Sequence, residues 1–157
     1  MQALALVVAD AARARLFTFK REDDLAPAPV LRERADLISN EARQRPSELF
    51  TETRPPTNVG PSGRTFAVDD HRDAHMDEFD RRFAQTIMEQ LATLASETAC
   101  PRVALVASPR FLGHLRTYAG ALKGLAVEEI ARDLTREATP RLREHLAELG
   151  LLPAAGR

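Results

Sequence analysis

The chain has little cysteine, little lysine and almost no net charge, and the first and last of these exclude particular classes of site or protein. It has one cysteine, Cys100, so an internal disulfide and a cysteine-rich zinc site are both excluded. Lysine occurs only at positions 20 and 123, and nearly all of the basic charge is arginine. Because the formal net charge is only −1, the protein is not basic over its whole surface, and any contact with nucleic acid requires a local patch.

Hydrophobic runs long enough to cross a membrane are also missing. The apolar run Ala3–Ala9 is too short to span a bilayer, lacks a basic leader and ends at Asp10. We therefore expect a cytoplasmic protein with no membrane association. A length of 157 residues is normal for one globular domain, so residues 1–157 are predicted to form a single domain.

The first forty residues have the pattern of three antiparallel strands. Ala3–Ala9 is continuously apolar, which is typical of a strand buried on both faces. Arg13–Phe19 alternates and predicts a hairpin partner for that strand. Val30–Leu37 alternates again, with Arg32 and Arg34 on the side expected to face solvent.

The second half of the chain alternates between helices and strands. Apolar residues at three- and four-residue steps predict a long helix over about Asp73–Glu97, with Glu78, Asp80 and their polar neighbours facing outward. The later elements are a strand over 102–108, a helix capped by Ser108-Pro109 with an inward stripe from Phe111 through Tyr118 to Leu122, a strand within 125–134, and a helix that starts at Thr139-Pro140 and stops at Gly150 and Pro153.

Residues 39–72 show no persistent periodicity and contain four prolines and two glycines, so they are predicted to form a long flexible loop. The predicted order is therefore β-β-β-loop-α-β-α-β-α. This order indicates an α/β fold with a mixed β-sheet flanked by helices, in the ribonuclease-H-like arrangement.

The most informative stretch is the second buried strand and the helix that follows it at once. If this strand lies parallel and adjacent to the first, Asp10 meets Ser108 and Arg110 at the sheet edge where ligands bind in open α/β sheets. A cation beside the free N–H groups of a helix start favours an anion. The same edge would gain positive charge from Arg13, Arg15 and Arg116. Alternatively, Asp10 caps a turn and Arg110 pairs with it on a solvated rim.

Other chemistries fit the pattern less well. A two-metal nuclease needs several converging carboxylates, for which Asp10 and either Glu78 or Asp80 are candidates, but Ser108 stands where a further acid is required. His71 and His75 have the four-residue spacing of metal ligands on a helix. The surrounding acidic residues are equally typical of a helix start, so no metal or other cofactor is assigned. An exposed position is expected for His114, which follows Arg110 by four residues.

Four segments resemble the bacterial host attachment protein family, whose name is "protein required for attachment to host cells". They are Val7–Phe17, Ala35–Ser39, Val106–Arg116 and Arg132–Thr135, and they occur in the right order over nearly the whole chain. That family is itself similar to the middle domain of the eukaryotic and archaeal peptide-chain release factor, and to Pelota. The resemblance implies the same fold and a role with tRNA or the ribosome.

In the release factor, the loop before the long helix carries a Gly-Gly-Gln tip that enters the peptidyl-transferase centre. The corresponding loop here retains Gly60 and Gly63 but has no glutamine, and Arg64 stands near its tip. The resemblance therefore implies a non-catalytic module in which Arg64 and the arginines of the sheet edge contact RNA phosphates.

Two alternatives stay open. One is a hydrolase acting on peptidyl-tRNA or a related ester. The other is a protein-interaction factor whose effect on attachment to host cells is indirect. The sequence does not predict the oligomeric state.

Overall fold

A computed structural model describes residues 2–40 and 62–155, with the side chains of 2–40 and 75–155. Its strands are β1 (Leu4–Ala9), β2 (Arg13–Lys20), β3 (Val30–Ile38), β4 (Arg102–Ala107) and β5 (Ala126–Ala131). Its helices are α1 (Ser62–Glu97), α2 (Pro109–Thr117) and α3 (Thr139–Glu148), and a 3₁₀ turn follows α2 at Ala119–Leu122. The predicted order of elements in these ranges is confirmed.

The five strands form one mixed sheet in the order β3-β2-β1-β4-β5. β1 pairs antiparallel with β2, and β2 pairs antiparallel with β3. β4 lies parallel to both β1 and β5. All six residues of β1 are fully buried, which confirms the prediction of a strand covered on both faces.

The two faces of the sheet carry different helices. Long α1 and short α2 cover one face through apolar side chains such as Ile87, Leu91 and Leu115. Helix α3 covers the other face through Leu142 and Leu146. Each large side chain that is fully buried in these layers contributes about 1.5–3 kcal/mol of transfer free energy to folding.

The long helix begins earlier than predicted. It starts at Ser62 instead of about Asp73, so residues 62–72, assigned to the flexible loop from their composition, are helical. The physical reason is that Gly63 is the only glycine in α1 and proline is absent from it, and one glycine costs a helix only about 1 kcal/mol. The part of the predicted loop at 41–61, including Gly60, lies outside the described residues.

Two helix starts also differ from the prediction. Ser108 is the N-cap residue of α2 and Pro109 its first helical residue, as expected, but the Ser108 side chain makes no capping hydrogen bond. Helix α3 is preceded by Ala138, so Thr139 lies inside the helix, and its hydroxyl accepts a hydrogen bond from Arg15. The Thr139 hydroxyl, which the local sequence predicts to cap the helix, therefore accepts a hydrogen bond from the distant residue Arg15 instead.

The β5 edge of the sheet is open to solvent. Of the six residues in β5, only Ile130 is partly buried, and Val127 is 42% exposed. In the described part of the chain, no helix is long and apolar enough to cross a membrane.

Candidate functional site

A cleft opens where β1 and β4 end. Because the two strands are parallel, with Ala9 opposite Ala107, the residues that follow them emerge at the same edge of the sheet. The cleft has a volume of about 320 Å³. Its walls are Asp10, Ala11, Ala12, Asp80, Ser108, Arg110 and Phe111. The predicted meeting of Asp10 with Ser108 and Arg110 at the carboxyl ends of the strands is thus confirmed.

The carboxylate of Asp10 organises the turn between β1 and β2. Its Oδ1 accepts hydrogen bonds from the backbone N–H groups of Ala12 (2.7 Å) and Arg13 (2.8 Å). Its Oδ2 accepts a hydrogen bond from the hydroxyl of Thr135 at 3.0 Å. Asp10 therefore caps the turn, as one alternative predicted. The expectation that Arg110 pairs with Asp10 is wrong, because Asp77 holds that guanidinium.

Thr135 connects two segments that carry the family resemblance. Its Oγ lies 3.0 Å from Asp10 Oδ2 and 2.7 Å from Asp133 Oδ1, so two carboxylates surround one hydroxyl. Because a hydroxyl has a single hydrogen, it donates to one of them at a time. The segment Arg132–Thr135 is therefore held against the end of β1.

The three arginines predicted to add positive charge to this edge do not line the cleft. Arg13 donates to Asp36 through Nε (2.8 Å) and Nη2 (2.7 Å). Arg116 donates to Glu129 through the same two nitrogens, at 2.7–3.1 Å. Arg15 is only 5% exposed and lies among protein acceptors. Of the predicted arginines whose side chains the structure describes, only Arg110 therefore lines the cleft.

Arg15 has the most complete set of partners of the three. Its guanidinium pairs with both carboxylate oxygens of Glu33, and Nη1 donates to the carbonyls of Thr135 and Glu137. The remaining contact is the Thr139 hydroxyl at 3.4 Å. These contacts account for all five N–H groups of an arginine, so Arg15 joins β2, β3 and the segment that leads into α3.

The pair Arg13–Asp36 predicts a small, pH-dependent contribution to stability. The hydrogen bond from Arg13 lowers the pKa of Asp36 below its ordinary value, so the pair stabilises the fold at neutral pH and loses that effect as the pH falls through the lowered pKa. Both side chains are 41% exposed, so we expect Asp36→Asn to lower the free energy of unfolding by less than about 1 kcal/mol at pH 7. Urea unfolding at a series of pH values should show this difference shrink below about pH 4. A difference independent of pH would contradict it.

A cluster of two carboxylates and one imidazole, of which only Asp80 lines the cleft, was missed from sequence. Asp77 and Asp80 lie three residues apart on α1, and His114 faces them from α2. One ligand atom from each of the three lies within 4.8 Å of the others, and Asp77 Oδ1 is 3.9 Å from His114 Nε2.

Two expectations about this cluster are wrong. Asp80, expected to face outward, is only 4% exposed, and His114, expected to be exposed, has a side chain that is 17% exposed. The cause is that α2 packs on α1 and covers this side of both helices. One signal was present in the sequence: Asp80 precedes Phe83 and Ala84 by three and four residues, which places it on the buried stripe of the helix.

Arg110 pairs with the outermost acid of the cluster. Its Nη2 donates to Asp77 Oδ1 at 2.9 Å, and this hydrogen bond lowers the pKa of Asp77 below its ordinary value. The Asp77 carboxylate therefore stays ionised well into the acid range. The Arg110 side chain is 69% exposed, so it lies at the mouth of the cleft.

The remaining predicted residues lie elsewhere. His75 is exposed, with its ring 6.4 Å from that of Phe79, and is not part of the cluster. The side chain of His71, the predicted partner of His75, is not among those that the structure describes. The backbone of Gly63 and Arg64 belongs to the start of α1, but the side chain of Arg64 also lies outside them, and Gly60 lies outside the described residues.

The sequence matches a known family. The family profile described as "Protein required for attachment to host cells" covers residues 5–146. The chain belongs to this family. The expected family is confirmed. The matched range of this host attachment family member extends from the second residue of β1 into α3, so it includes the other four strands and the described cleft residues.

A search of the curated proteins found no match to this host attachment family member. Among solved structures, the Ppx/GppA phosphatase of Aquifex aeolicus, in the crystal structure of its type II variant, is similar at 15% sequence identity and a TM-score of 0.43. The match covers 83% of this chain, which spans 36% of the phosphatase chain.

Proposed function

We propose that the protein is a cytoplasmic, non-catalytic RNA-binding module that holds a phosphate of tRNA or ribosomal RNA at the cleft. We also propose that its mixed sheet is ribonuclease-H-like and similar to the release-factor middle domain. The strand order β3-β2-β1-β4-β5, with parallel pairing only around β4, supports that assignment.

The observation that carries the proposal is the exposed start of α2 at the cleft. Ser108 makes no side-chain capping bond, and the first backbone N–H with a helical acceptor is that of Leu112. The N–H groups of Arg110 and Phe111 thus precede the first helical hydrogen bond, and the helix dipole adds partial positive charge there. A phosphate is the group that such a helix start binds, and the exposed Arg110 guanidinium supplies a charge-assisted contact.

Three carboxylates near the start of α2 weaken the binding of a phosphate there. Asp10, Asp77 and Asp80 lie beside the helix start, so a phosphate gains from Arg110 and the α2 dipole while it is repelled by three carboxylates. We infer that binding at the cleft is weak without further contacts. Arg64 near the start of α1 remains the predicted second contact.

The salt dependence of RNA binding tests the proposal. In co-sedimentation with ribosomes and in a filter assay with tRNA, Arg110→Ala should weaken binding about tenfold and lower the slope of log affinity against log salt by about one. Arg141→Ala is the matched control, because Arg141 is another exposed arginine, with a side chain 59% exposed, that pairs with Glu144 on α3. No binding by the wild-type protein at low salt would overturn the proposal, and equal losses in both variants would show contact without a site at the cleft.

The second candidate, a hydrolase acting on peptidyl-tRNA or a related ester, is favoured by the polar groups of the cleft. Asp80 and Asp10 bring carboxylates, and Ser108 brings a hydroxyl, to the lining of the cleft. Buried carboxylates are the groups that accept protons from attacking water. Release of the peptide from a model peptidyl-tRNA by the wild type, lost in Asp80→Asn but retained in Glu78→Gln, would establish the enzyme in place of the binding module.

The attachment named by the family is, on this proposal, an indirect effect of a protein that acts inside the cell. The alternative is a protein-interaction factor, for which the exposed edge strand β5 offers a surface. Affinity capture of partners before and after nuclease treatment separates the two. Partners that survive the nuclease and depend on β5 residues such as Val127 would favour the interaction factor.

A further inference from the structure

We propose that two copies of the chain form a symmetric dimer through strand β5. In this dimer β5 of one copy pairs antiparallel with β5 of the other, so that the two five-stranded sheets continue into one another. The inference is independent of RNA binding, because β5 lies at the edge of the sheet and none of its residues lines the cleft.

The backbone of β5 offers hydrogen-bonding groups to a further strand. The N–H of Ala126 donates to the carbonyl of Pro101 at 3.1 Å, so the backbone groups of Ala126 face β4. Because successive residues of a strand alternate in direction, every second residue of β5 faces away from β4. These outward residues are Val127, Glu129 and Ala131. Within the described part of the chain, their backbone groups have no hydrogen-bond partner, so they are available to a new strand.

The opposite edge of the sheet is less suited to pairing. Strand β3 has four charged residues among its nine, and its pairing with β2 shifts register between Leu16 and Phe17, which leaves Arg34 as an extra residue. Charges and bulges of this kind keep an edge strand from pairing with another chain. Strand β5, in contrast, pairs with β4 in one unbroken register over all six of its residues. The regular, open edge of the sheet is therefore β5.

The outward groups select one register for the dimer. In an antiparallel pair, two residues that lie opposite each other either both exchange hydrogen bonds or both face away. An outward residue must therefore lie opposite another outward residue. When the pairing is centred on Glu129, Val127 lies opposite Ala131 of the partner subunit, and Glu129 lies opposite Glu129 of the partner subunit. This register uses all the outward groups of both copies, whereas every other register leaves an outward residue of β5 without an outward residue opposite it.

The charges at the centre of this register favour a second copy as the partner. Two glutamates directly opposite each other repel unless cations neutralise them. Each Glu129 is already bound by Arg116 of α2, through Nε and Nη2 at 2.7–3.1 Å. The Arg116 side chain is 57% exposed, and its Nη1 has no acceptor among the described residues, so it is free to donate to the second carboxylate. On the other face of β5, Arg102 neutralises Glu128. Two carboxylates and two guanidinium groups thus balance at the two-fold axis.

Sedimentation velocity of the full chain over about 5–500 μM tests the dimer. Because one strand from each copy makes a small interface, we expect a dissociation constant on the order of tens of micromolar. Val127→Pro should raise it about tenfold or more, because proline lacks the outward N–H. The fold should tolerate this change, since proline is accepted in an edge strand where the N–H faces solvent.

Val30→Pro is the matched control for this variant. Val30 is 45% exposed and is the first residue of the opposite edge strand β3, a position that accepts proline. It should dimerise like the wild type. Circular dichroism establishes that both variants are folded.

A second pair of variants tests the charges at the two-fold axis. Arg116→Ala should weaken the dimer about tenfold, because the two Glu129 carboxylates then face each other without their cations. Adding Glu129→Gln to Arg116→Ala removes the repulsion and should restore most of the affinity. A role of Arg116 that is confined to its own subunit predicts no such rescue. Arg141→Ala, which removes an exposed arginine of α3, should leave the dimer unchanged.

Hydrogen exchange of the wild-type protein, measured by NMR at low and high concentration, gives a readout that needs no variant. The N–H groups of Val127, Glu129 and Ala131 should exchange more slowly at high concentration. That of Glu128, which faces β4, should not change. The dimer is overturned if the chain stays monomeric over the whole range of concentration, or if Val127→Pro dimerises like the wild type. Slower exchange that omits Ala131 would contradict the register.

Discussion

Replacement of Arg15 by alanine is expected to lower the free energy of unfolding by about 3 kcal/mol or more, which is a large share of the stability of a domain of this size. Arg15 is 5% exposed and pairs with Glu33, whose carboxylate would be left partly buried without its cation. The carbonyls of Thr135 and Glu137 would lose their donor as well. A buried polar group without a partner costs about 1–3 kcal/mol. Chemical unfolding followed by circular dichroism measures the loss.

Arg13→Ala is the matched control for this prediction. Arg13 lies two positions away on β2 and also pairs with a carboxylate of β3, but both members of its pair are 41% exposed. Its loss should therefore cost less than about 1 kcal/mol. The two variants remove the same side chain from the same strand and differ in burial. Equal effects would show that the burial of Arg15 does not decide its contribution.

Replacement of Phe111 by alanine is expected to lower the free energy of unfolding by about 3–5 kcal/mol. Phe111 is 3% exposed, forms part of the cleft wall, and packs against Phe83 of α1 and the ring of His114. Its removal leaves a cavity between α1 and α2. Thermal and chemical unfolding measure the loss of stability.

Phe111→Leu separates packing from a general effect of substitution. Leucine retains most of the apolar volume, so the loss should stay below about 1.5 kcal/mol. A Phe111→Ala variant within 1 kcal/mol of the wild type would contradict the packing assigned to this residue. It would mean that α2 is held to α1 by other contacts.

Local patterns were sufficient for most of the architecture. The apolar run that became β1, the alternation of β2 and β3, and the strand-to-helix step at Ala107–Pro109 each depend on neighbouring residues only, and each prediction is confirmed. The meeting of Asp10 and Ser108 also followed from sequence, because two adjacent parallel strands have their carboxyl ends at one edge. The start of α1 did not follow, since Gly63 weakens a helix without stopping it.

The pairing of charged groups could not be predicted in the same way. The carboxylate partners of the three arginines lie 13 to 23 residues away in sequence, on strands β3 and β5. Strand pairing and register decide which acid stands opposite which base, and the pairing of β2 with β3 includes an irregularity between Leu16 and Phe17. Arg15 therefore proved to be a buried connection within the fold, a position that the alternation of β2 alone left undetermined.

The amino-acid sequence by itself determined the family, the order of the elements and the edge of the sheet at which β1 and β4 end, because these depend on local apolar patterns and on motifs within short segments. Only the tertiary structure decided which side chains face that edge. Asp77 and Asp80 meet His114, and Arg110 meets Asp77, because α1 packs against α2, although Arg110 follows Asp77 by 33 positions in the chain. Contacts between helices bring together residues whose spacing in sequence carries no periodic signal.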